Sequence, residues 1–416
     1  MTPSVAAPPL IVVGASARGL AASARLAGWS VYAADLFADA DLRAAATAAV
    51  RVPTSPDRPW PEGVADALRP FPLAPWVYVG ALENHPDLVD RLARDRPLAG
   101  NAGPALRAAR DPLVVAGLVR AAGLAFPDTC ESPTGLPIDG SFLVKPRRGA
   151  GGRGISRWLG GPLPAGDRIW QRAVRGRAAS VAFAISAAGA RPWGASRQLI
   201  GRRWCHARDW AWSGAIDVKV DPLPGSLRRS LDRLGGLLAD ELGLIGLVGV
   251  DLVVDAAGVP HVIEINPRPT ASLELIERAT GASVAATHVA ACGFAVPAPA
   301  HETPRPGGRL VWAKAVVFAA EKLLVCERVG RALADRAAEW SAADDGWPAL
   351  ADVPAVGTVA EAGSPLVTVF AAAHHGAAAL RALRARVMAV RGILDAVSPP
   401  TGAAAPPRRR PRDRSA

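Results

Sequence analysis

Cysteine is scarce in this chain: Cys130, Cys205, Cys292 and Cys326 are the only four among 416 residues, and no two stand in a CxxC spacing. That argues against a zinc knuckle and against a disulfide framework. Long hydrophobic runs are missing too, since no stretch of 18 uncharged apolar residues occurs, and a membrane span needs about that length. The opening MTPSVAAPPLIVVGASARG carries neither a basic leader nor a small-residue cleavage site after its short apolar run. A cytoplasmic protein without a membrane partner is the resulting expectation. Lysine is as rare as cysteine, with Lys145, Lys219, Lys314 and Lys322 standing against 44 arginines. A compact ammonium and a planar guanidinium are not equivalent at a phosphate, so each surviving lysine invites a question about its role. The body also lacks a dense basic stripe with interleaved aromatics. Of the net charge of +11, the tail from 405 to 416 contributes +4 through five arginines and Asp413. The rest is a solvated, arginine-biased surface, and no nucleic-acid partner is expected.

What is present is a chain half of whose residues are hydrophobic, enough for two or three domains with their own cores. LIVVGASARGLAASARLAGWSVYAADL reads as strand, glycine turn, helix and a second strand ending at Asp35, a βαβ unit. Its GASARG has Ser16 where a dinucleotide turn has its middle glycine, so a Rossmann-like sheet without a dinucleotide is favoured over NAD binding. PWVYVGALE, from 75 to 83, continues that sheet. An alanine-rich helix over 104–123 follows, then strands at 142–145, 168–174 and 179–187 as one small antiparallel sheet, and a helix over 227–242. Two apolar strands, 246–254 and 260–266, are joined by the turn DAAG. A proline-rich linker at 297–308 leads to strands and a helix from 375 to about 397, and the last stretch reads as disordered.

Two segments carry chemistry. FLVKPRRGAGGRGISRW, 142–158, reads as a strand ending in Lys145 and a loop with glycines at 149, 151, 152 and 154, whose bare backbone can close over phosphates. VIEINPRPT, 262–270, places Glu264, Asn266 and Arg268 at alternate positions, which in an extended chain share one face. Asp251, on the neighbouring strand of the expected hairpin, can face Glu264 and share one or two metal ions. The segment 198–217, QLIGRRWCHARDWAWSGAID, concentrates arginine and tryptophan in what is expected to be a loop on the open side of the site. It either reads an acidic or aromatic substrate or packs as a lid; His206 within it is expected to be structural, and Lys314 either reaches the site or ends a strand.

KPRRGAGGRGI, GVDLVV and EINPRP, in that order, resemble the ATP-grasp superfamily over roughly residues 105–290. WAKAVVFA and VPAVGTVAEAGSPLVTVFA extend the resemblance to the predicted ATP-dependent carboligase family, distantly similar to biotin carboxylase. The resemblance implies an α/β fold in three parts: a Rossmann-like domain at 1–104, an ATP-grasp α+β domain at 105–296 with its lid at about 141–190, and a small closing α+β domain at 309–398 before the basic tail at 399–416. It implies ATP and magnesium or manganese as cofactors. Lys145 would contact the α and β phosphates beneath the loop of Gly149, Gly151, Gly152 and Gly154. Gln171 and Val174 would sit at the adenine; Asp251, Glu264 and Asn266 would bind the metal; Arg268 would stabilise the transferred phosphoryl group. Two departures stand out. The Asp-Lys pair that relatives carry before the lid is replaced by Arg110, Asp111 and Pro112, and RGRAASVAF offers no acid for the ribose. The implied activity is ADP-forming ligation of a small-molecule carboxylate to an amine, in cofactor biosynthesis of the methanopterin or methanofuran kind. Carboxylation through carboxyphosphate, a non-catalytic ATP sensor and an NAD-dependent oxidoreductase are the rivals, and a homodimer stays open.

Overall fold

The computed structural model describes residues 7–162, 165–218, 224–298, 310–343 and 347–396. The basic tail and most of the expected proline-rich linker lie outside them. Near the N-terminus, β1 (Pro9–Gly14), β2 (Ser30–Asp35), β3 (Ala48–Arg51) and β4 (Trp76–Tyr78) form a parallel sheet in the order β3-β2-β1-β4. The PLIVVG run of β1 is buried almost throughout, as a central parallel strand covered on both faces must be. The expected βαβ unit is therefore present, with its helix at Arg18–Leu26.

The helix expected over 104–123 is two helices, Gly103–Ala109 and Pro112–Ala121. Pro112 cannot donate to the preceding turn, and Asp111 caps the second helix by accepting from the Leu113 amide at 2.9 Å. The lid is a small antiparallel sheet of β5 (Thr129–Cys130), β6 (Phe142–Pro146), β7 (Ser156–Arg157) and β8 (Arg168–Arg172), in the order β5-β8-β6-β7. The strand expected at 179–187 is not part of it. As β9 (Arg177–Ser186) it enters the main sheet, because VAFAI is apolar on both faces: Val181, Phe183 and Ile185 join one core, Ala182 and Ala184 another.

Among the described residues the main sheet is eight-stranded and antiparallel. It holds β9, β10 (Gly189–Ile200), β11 (Trp212–Val218), β12 (Gly246–Val254), β13 (Pro260–Asn266) and β14 (Val311–Phe318). A short pair, β15 (Leu323–Leu324) with β17 (Val359–Ala360), stands apart, while β16 (Leu350–Ala351) and β18 (Pro365–Ala373) complete the main sheet in the order β13-β12-β9-β10-β11-β14-β18-β16. The chain beyond residue 309 thus continues the sheet begun by the central strands, through β11 against β14. The segment 198–217 is also not one loop: Gln198 ends β10, residues from 212 form β11, and only the stretch between them is irregular. No helix among the described residues is long and apolar enough to cross a membrane.

Candidate active site

One row of paired residues crosses the main sheet. Glu264 on β13 faces Asp251 on β12, which faces Ser180 on β9, then Ser196 on β10 and Asp217 on β11. Directly paired residues project to the same side, so the row is a polar stripe on one face of the sheet. Asp251 accepts from the Gln198 amide at 2.7 Å and from Asn266 Nδ2 at 3.0 Å. Burial, and then the nearby Glu264 carboxylate, push the Asp251 carboxyl above its usual range. Burial also acts upward on Glu264, but the Arg110 guanidinium and Lys145 ammonium outweigh it and hold that carboxyl below its usual range.

Lys145 leaves the lid strand β6 toward this stripe. Its Nζ donates to Gln171 Oε1 at 3.0 Å, and Gln171 Nε2 donates to Thr129 Oγ1 at 3.1 Å. The Gln171 amide is thus committed to positioning Lys145. Burial lowers the Lys145 ammonium below the ordinary lysine value even with Glu264 opposing it. Beyond Lys145 the glycine loop turns with φ of +60° at Gly151, +79° at Gly152 and +71° at Gly154, a region that residues with a Cβ rarely enter. The loop is fastened on two sides. Asn84 Nδ2 and Arg110 Nη2 donate to the Gly149 carbonyl at 3.1 and 3.3 Å, and the Trp212 amide donates to the Gly151 carbonyl at 3.2 Å.

The lid, the loop and Glu264 of the stripe line a half-open cleft. Ala109, Val115, Phe126, Ile155, Ile169 and Ile263 make its apolar wall, while Lys145, Arg110, Arg147, Arg153 and Glu264 supply charge. Gly149, Gly151 and Gly152 line it; Gly154, Gln171, Val174, Asp251, Asn266 and Arg268 do not. Arg268 is instead paired with Glu83 at 2.6 Å, and its Nη2 reaches Asn266 Oδ1 at 3.4 Å. Glu83 is 1% exposed and leaves its second carboxylate oxygen without a hydrogen-bond partner. It stands in the 3₁₀ turn Leu82–Asn84 after β4, on the side where the carboxyl ends of parallel strands meet ligands. An acid and an amide, Glu83 and Asn84, directly after a buried strand were the only sequence signal for this pair. Arg110, the departure from the expected lysine, lines the cleft and donates to Glu264, to the Ile265 carbonyl at 3.2 Å and to Asn84 Oδ1 at 2.9 Å.

Other candidates fall elsewhere. His206 ends a 3₁₀ turn with φ of +57°, and its imidazole is lowered by burial and by Arg391. Lys314 neither ends a strand nor lines the cleft: it is 3% exposed in the middle of β14 and bonded to Glu274 at 3.1 Å. The four cysteines are unpaired. The GASARG turn is spent on structure, because Asp35 accepts from the amides of Ala17, Phe37 and Ala38 at 2.5, 2.7 and 2.7 Å. With three of about four acceptor sites filled, that carboxylate has little capacity left for the paired hydroxyls of a ribose. Among the described residues no three His, Cys, Asp or Glu side chains gather for a metal. The candidate set is two carboxylates and an amide oxygen. Asp251 and Glu264, paired across adjacent strands with like charge and raised proton affinity at one of them, suit a hard divalent cation.

The family model of the ATP-grasp domain matches residues 110–272. No curated protein matches the sequence. Among solved structures, the ADP complex of an N5-carboxyaminoimidazole ribonucleotide synthetase is similar with a TM-score of 0.62 at 14% identity, over 95% of this chain and 100% of that one. The biotin carboxylase domain of Hydrogenobacter thermophilus 2-oxoglutarate carboxylase gives 0.62 at 14%, over 90% and 88%. An L-amino acid ligase from Bacillus licheniformis gives 0.61 at 12%, over 92% and 98%. At these identities the likeness is one of fold, and it embraces the N-terminal sheet and the strands beyond residue 309 as well as the central segment. Sequence match and fold agree: residues 110–272 of this chain are an ATP-grasp domain.

Proposed function

We propose that the protein is a magnesium- and ATP-dependent ligase that activates a carboxylate as an acyl phosphate and transfers the acyl group to an amine, releasing ADP and phosphate. The observation that carries this reading is convergence: Lys145 with its glycine loop and Glu264, 119 positions further along the chain, line one cleft, and Asp251 stands beside Glu264 on the adjacent strand. The apolar wall suits a purine, and the cationic end suits a polyphosphate. Lys145, oriented by Gln171, and Arg110, oriented by Asn84 and Glu264, place two positive charges at the loop. Arg110 thereby takes the place of the expected lysine, which speaks against a degenerate, non-catalytic sensor. Asp251, Glu264 and the Asn266 amide oxygen would hold magnesium, which would neutralise charge on the β and γ phosphate oxygens. Arg268, paired with Glu83 and beside Asn266, would stabilise the phosphoryl group in transfer.

In the reaction, a substrate carboxylate oxygen attacks the γ phosphorus and the bond to the ADP oxygen breaks. The amine then attacks the acyl carbon, phosphate leaves with the bonding pair, and the nitrogen gives up one proton to the departing phosphate or to solvent. Such chemistry depends on positioning and charge neutralisation. Removing one preorganised partner typically costs about 3 to 4 kcal/mol of barrier, a factor of 10² to 10³. Glu264→Gln should therefore lower ADP release with Mg-ATP, pooled amino acids, pterin acids and bicarbonate by about a hundredfold while ATP still binds. A variant as active as the wild type would overturn the assignment. Two of the similar structures are named as a carboxyaminoimidazole synthetase and a carboxylase domain. Carboxylation is accordingly the second reading, and ADP release dependent on bicarbonate alone would favour it.

A further inference from the structure

A second pocket, partly open to solvent, lies between the end of β10, the irregular stretch after it and the helix Gly376–Asp395. Arg197 comes from β10, Arg202 from the following stretch, and Arg381 and Arg384 from the helix; Trp204 and Leu199 give it an apolar floor. It is separate from the cleft. Along β10, side chains alternate, so Arg197 and Leu199 project to the face opposite Gln198, the residue bonded to Asp251.

The charge at this cavity is unbalanced. Among the described residues none of the four arginines forms an ion pair, whereas Arg18, Arg110, Arg147 and Arg268 each meet a carboxylate. Arg202 Nε is buried without a hydrogen-bond partner. Arg381 and Arg384 are spaced i,i+3 on one helix face, an arrangement that repels. Guanidiniums offer planar, paired donors that match carboxylate or phosphate oxygens. The chain's own tail cannot serve as counter-charge, since it carries five arginines against one aspartate.

We infer that this cavity binds a small polyanion with a flat apolar body, its phosphate or carboxylate groups held by Arg197, Arg202, Arg381 and Arg384 and its body against Trp204. The pocket, about 270 Å³ and partly open to solvent, has room for a small molecule. The test is calorimetric titration of the full chain with pyrophosphate and, separately, citrate, which tells a phosphate ligand from a carboxylate one. Lys145→Met disables the cleft, and Arg381→Ala/Arg384→Ala disables the cavity from exposed helix positions. The expected result is that at least one anion binds Lys145→Met with wild-type affinity at this cavity and binds the double variant at least tenfold more weakly there. Arg197→Ala, from a different element, should show the same loss if the helix variant folds poorly. Neither anion binding the wild type, all binding vanishing in Lys145→Met, or cavity variants titrating like the wild type would each overturn the inference.

Discussion

At Gly152 the absent Cβ would stand 1.9 Å from the Trp210 carbonyl oxygen, and the backbone already has φ of +79°. Alanine there has neither the conformation nor the room, so the loop must lift from the Trp210–Trp212 segment. Gly152→Ala should weaken Mg-ATP binding at least about tenfold, or about 1.4 kcal/mol, while a melting curve stays near that of the wild type; unchanged affinity would show that the loop does not need its seat. Lys145 allows a second test. Because burial lowers its ammonium, ATP binding should decline with rising pH at a midpoint more acidic than the ordinary lysine value of about 10.4. Lys145→Arg, which keeps its charge at that pH, should remove the decline even if it binds less well. The catalytic-looking residues were legible because their signals are local: Lys145 and the glycines are contiguous, and Glu264, Asn266 and Arg268 alternate. Glu83 was not, because a single acid after a short strand acquires meaning only from the arginine it meets 185 positions away.

At the scale of elements, the helix Val284–Ala291 is bound to the sheets through His288. Its Nδ1 accepts from the Leu247 amide at 2.8 Å, and Nε2 lies 3.0 Å from the Ala99 carbonyl oxygen it donates to. Burial lowers this imidazole to about 4. Between that value and about 6.5 the unfolded chain binds a proton that the native state refuses, so stability rises with pH across the window and is lost on acidification, by up to about 3 kcal/mol. Denaturant titrations of His288→Gln should show a shallower loss between pH 6.5 and 4 than the wild type; identical pH slopes would rule out this source. The helix Arg18–Leu26 is tied in another way. Arg18 bonds Glu274 at 2.5 Å and Asp352 at 3.1 Å, joining the helix of the N-terminal βαβ unit to the helix Leu273–Thr280 and to the residue after β16. Removing one partner from a buried ion-pair network costs about 3 to 5 kcal/mol because the others stay buried uncompensated. Arg18→Ala should lose stability of that order in urea unfolding, and a change below about 1 kcal/mol would contradict the clasp. In the sequence Arg18 reads only as part of a defective dinucleotide turn; its real use depends on acids 256 and 334 positions away.

For the whole molecule, the consequential fact is the pairing of β11 with β14. One core unites Leu199, Cys205 and Ile216 from the central segment with Ala313, Val317, Val369, Leu383 and Val387 from beyond residue 309. A chain ending at residue 298 would expose the β11 edge and half of that core. It should fail to give a cooperative unfolding transition, and a soluble, cooperatively folding fragment would show instead that the C-terminal strands are dispensable. Ligands should act on the intact molecule accordingly. Mg-ATP at a hundred times its dissociation constant should add about 2.7 kcal/mol and raise the melting temperature. NAD should leave it unchanged, since Asp35 and the GASARG turn are engaged with each other.

The sequence by itself determined the pieces whose physics is short-ranged: the βαβ opening, the hairpin of β12 and β13 to the residue, the glycine loop after Lys145 and the facing pair Asp251 and Glu264. Alternation, glycine freedom and apolar runs act over a few residues and can be read along the chain. Only the tertiary structure decided that β9 belongs to the main sheet, that 104–123 breaks at Pro112, that the arginine- and tryptophan-rich segment clamps the glycine loop, and that Gln171 holds Lys145. It also decided that Glu83 holds Arg268. Each of these depends on which distant surface supplies the second face of a strand or the counter-charge of a buried group. That is settled by packing, where an unpaired charge or an uncovered apolar face costs too much to persist.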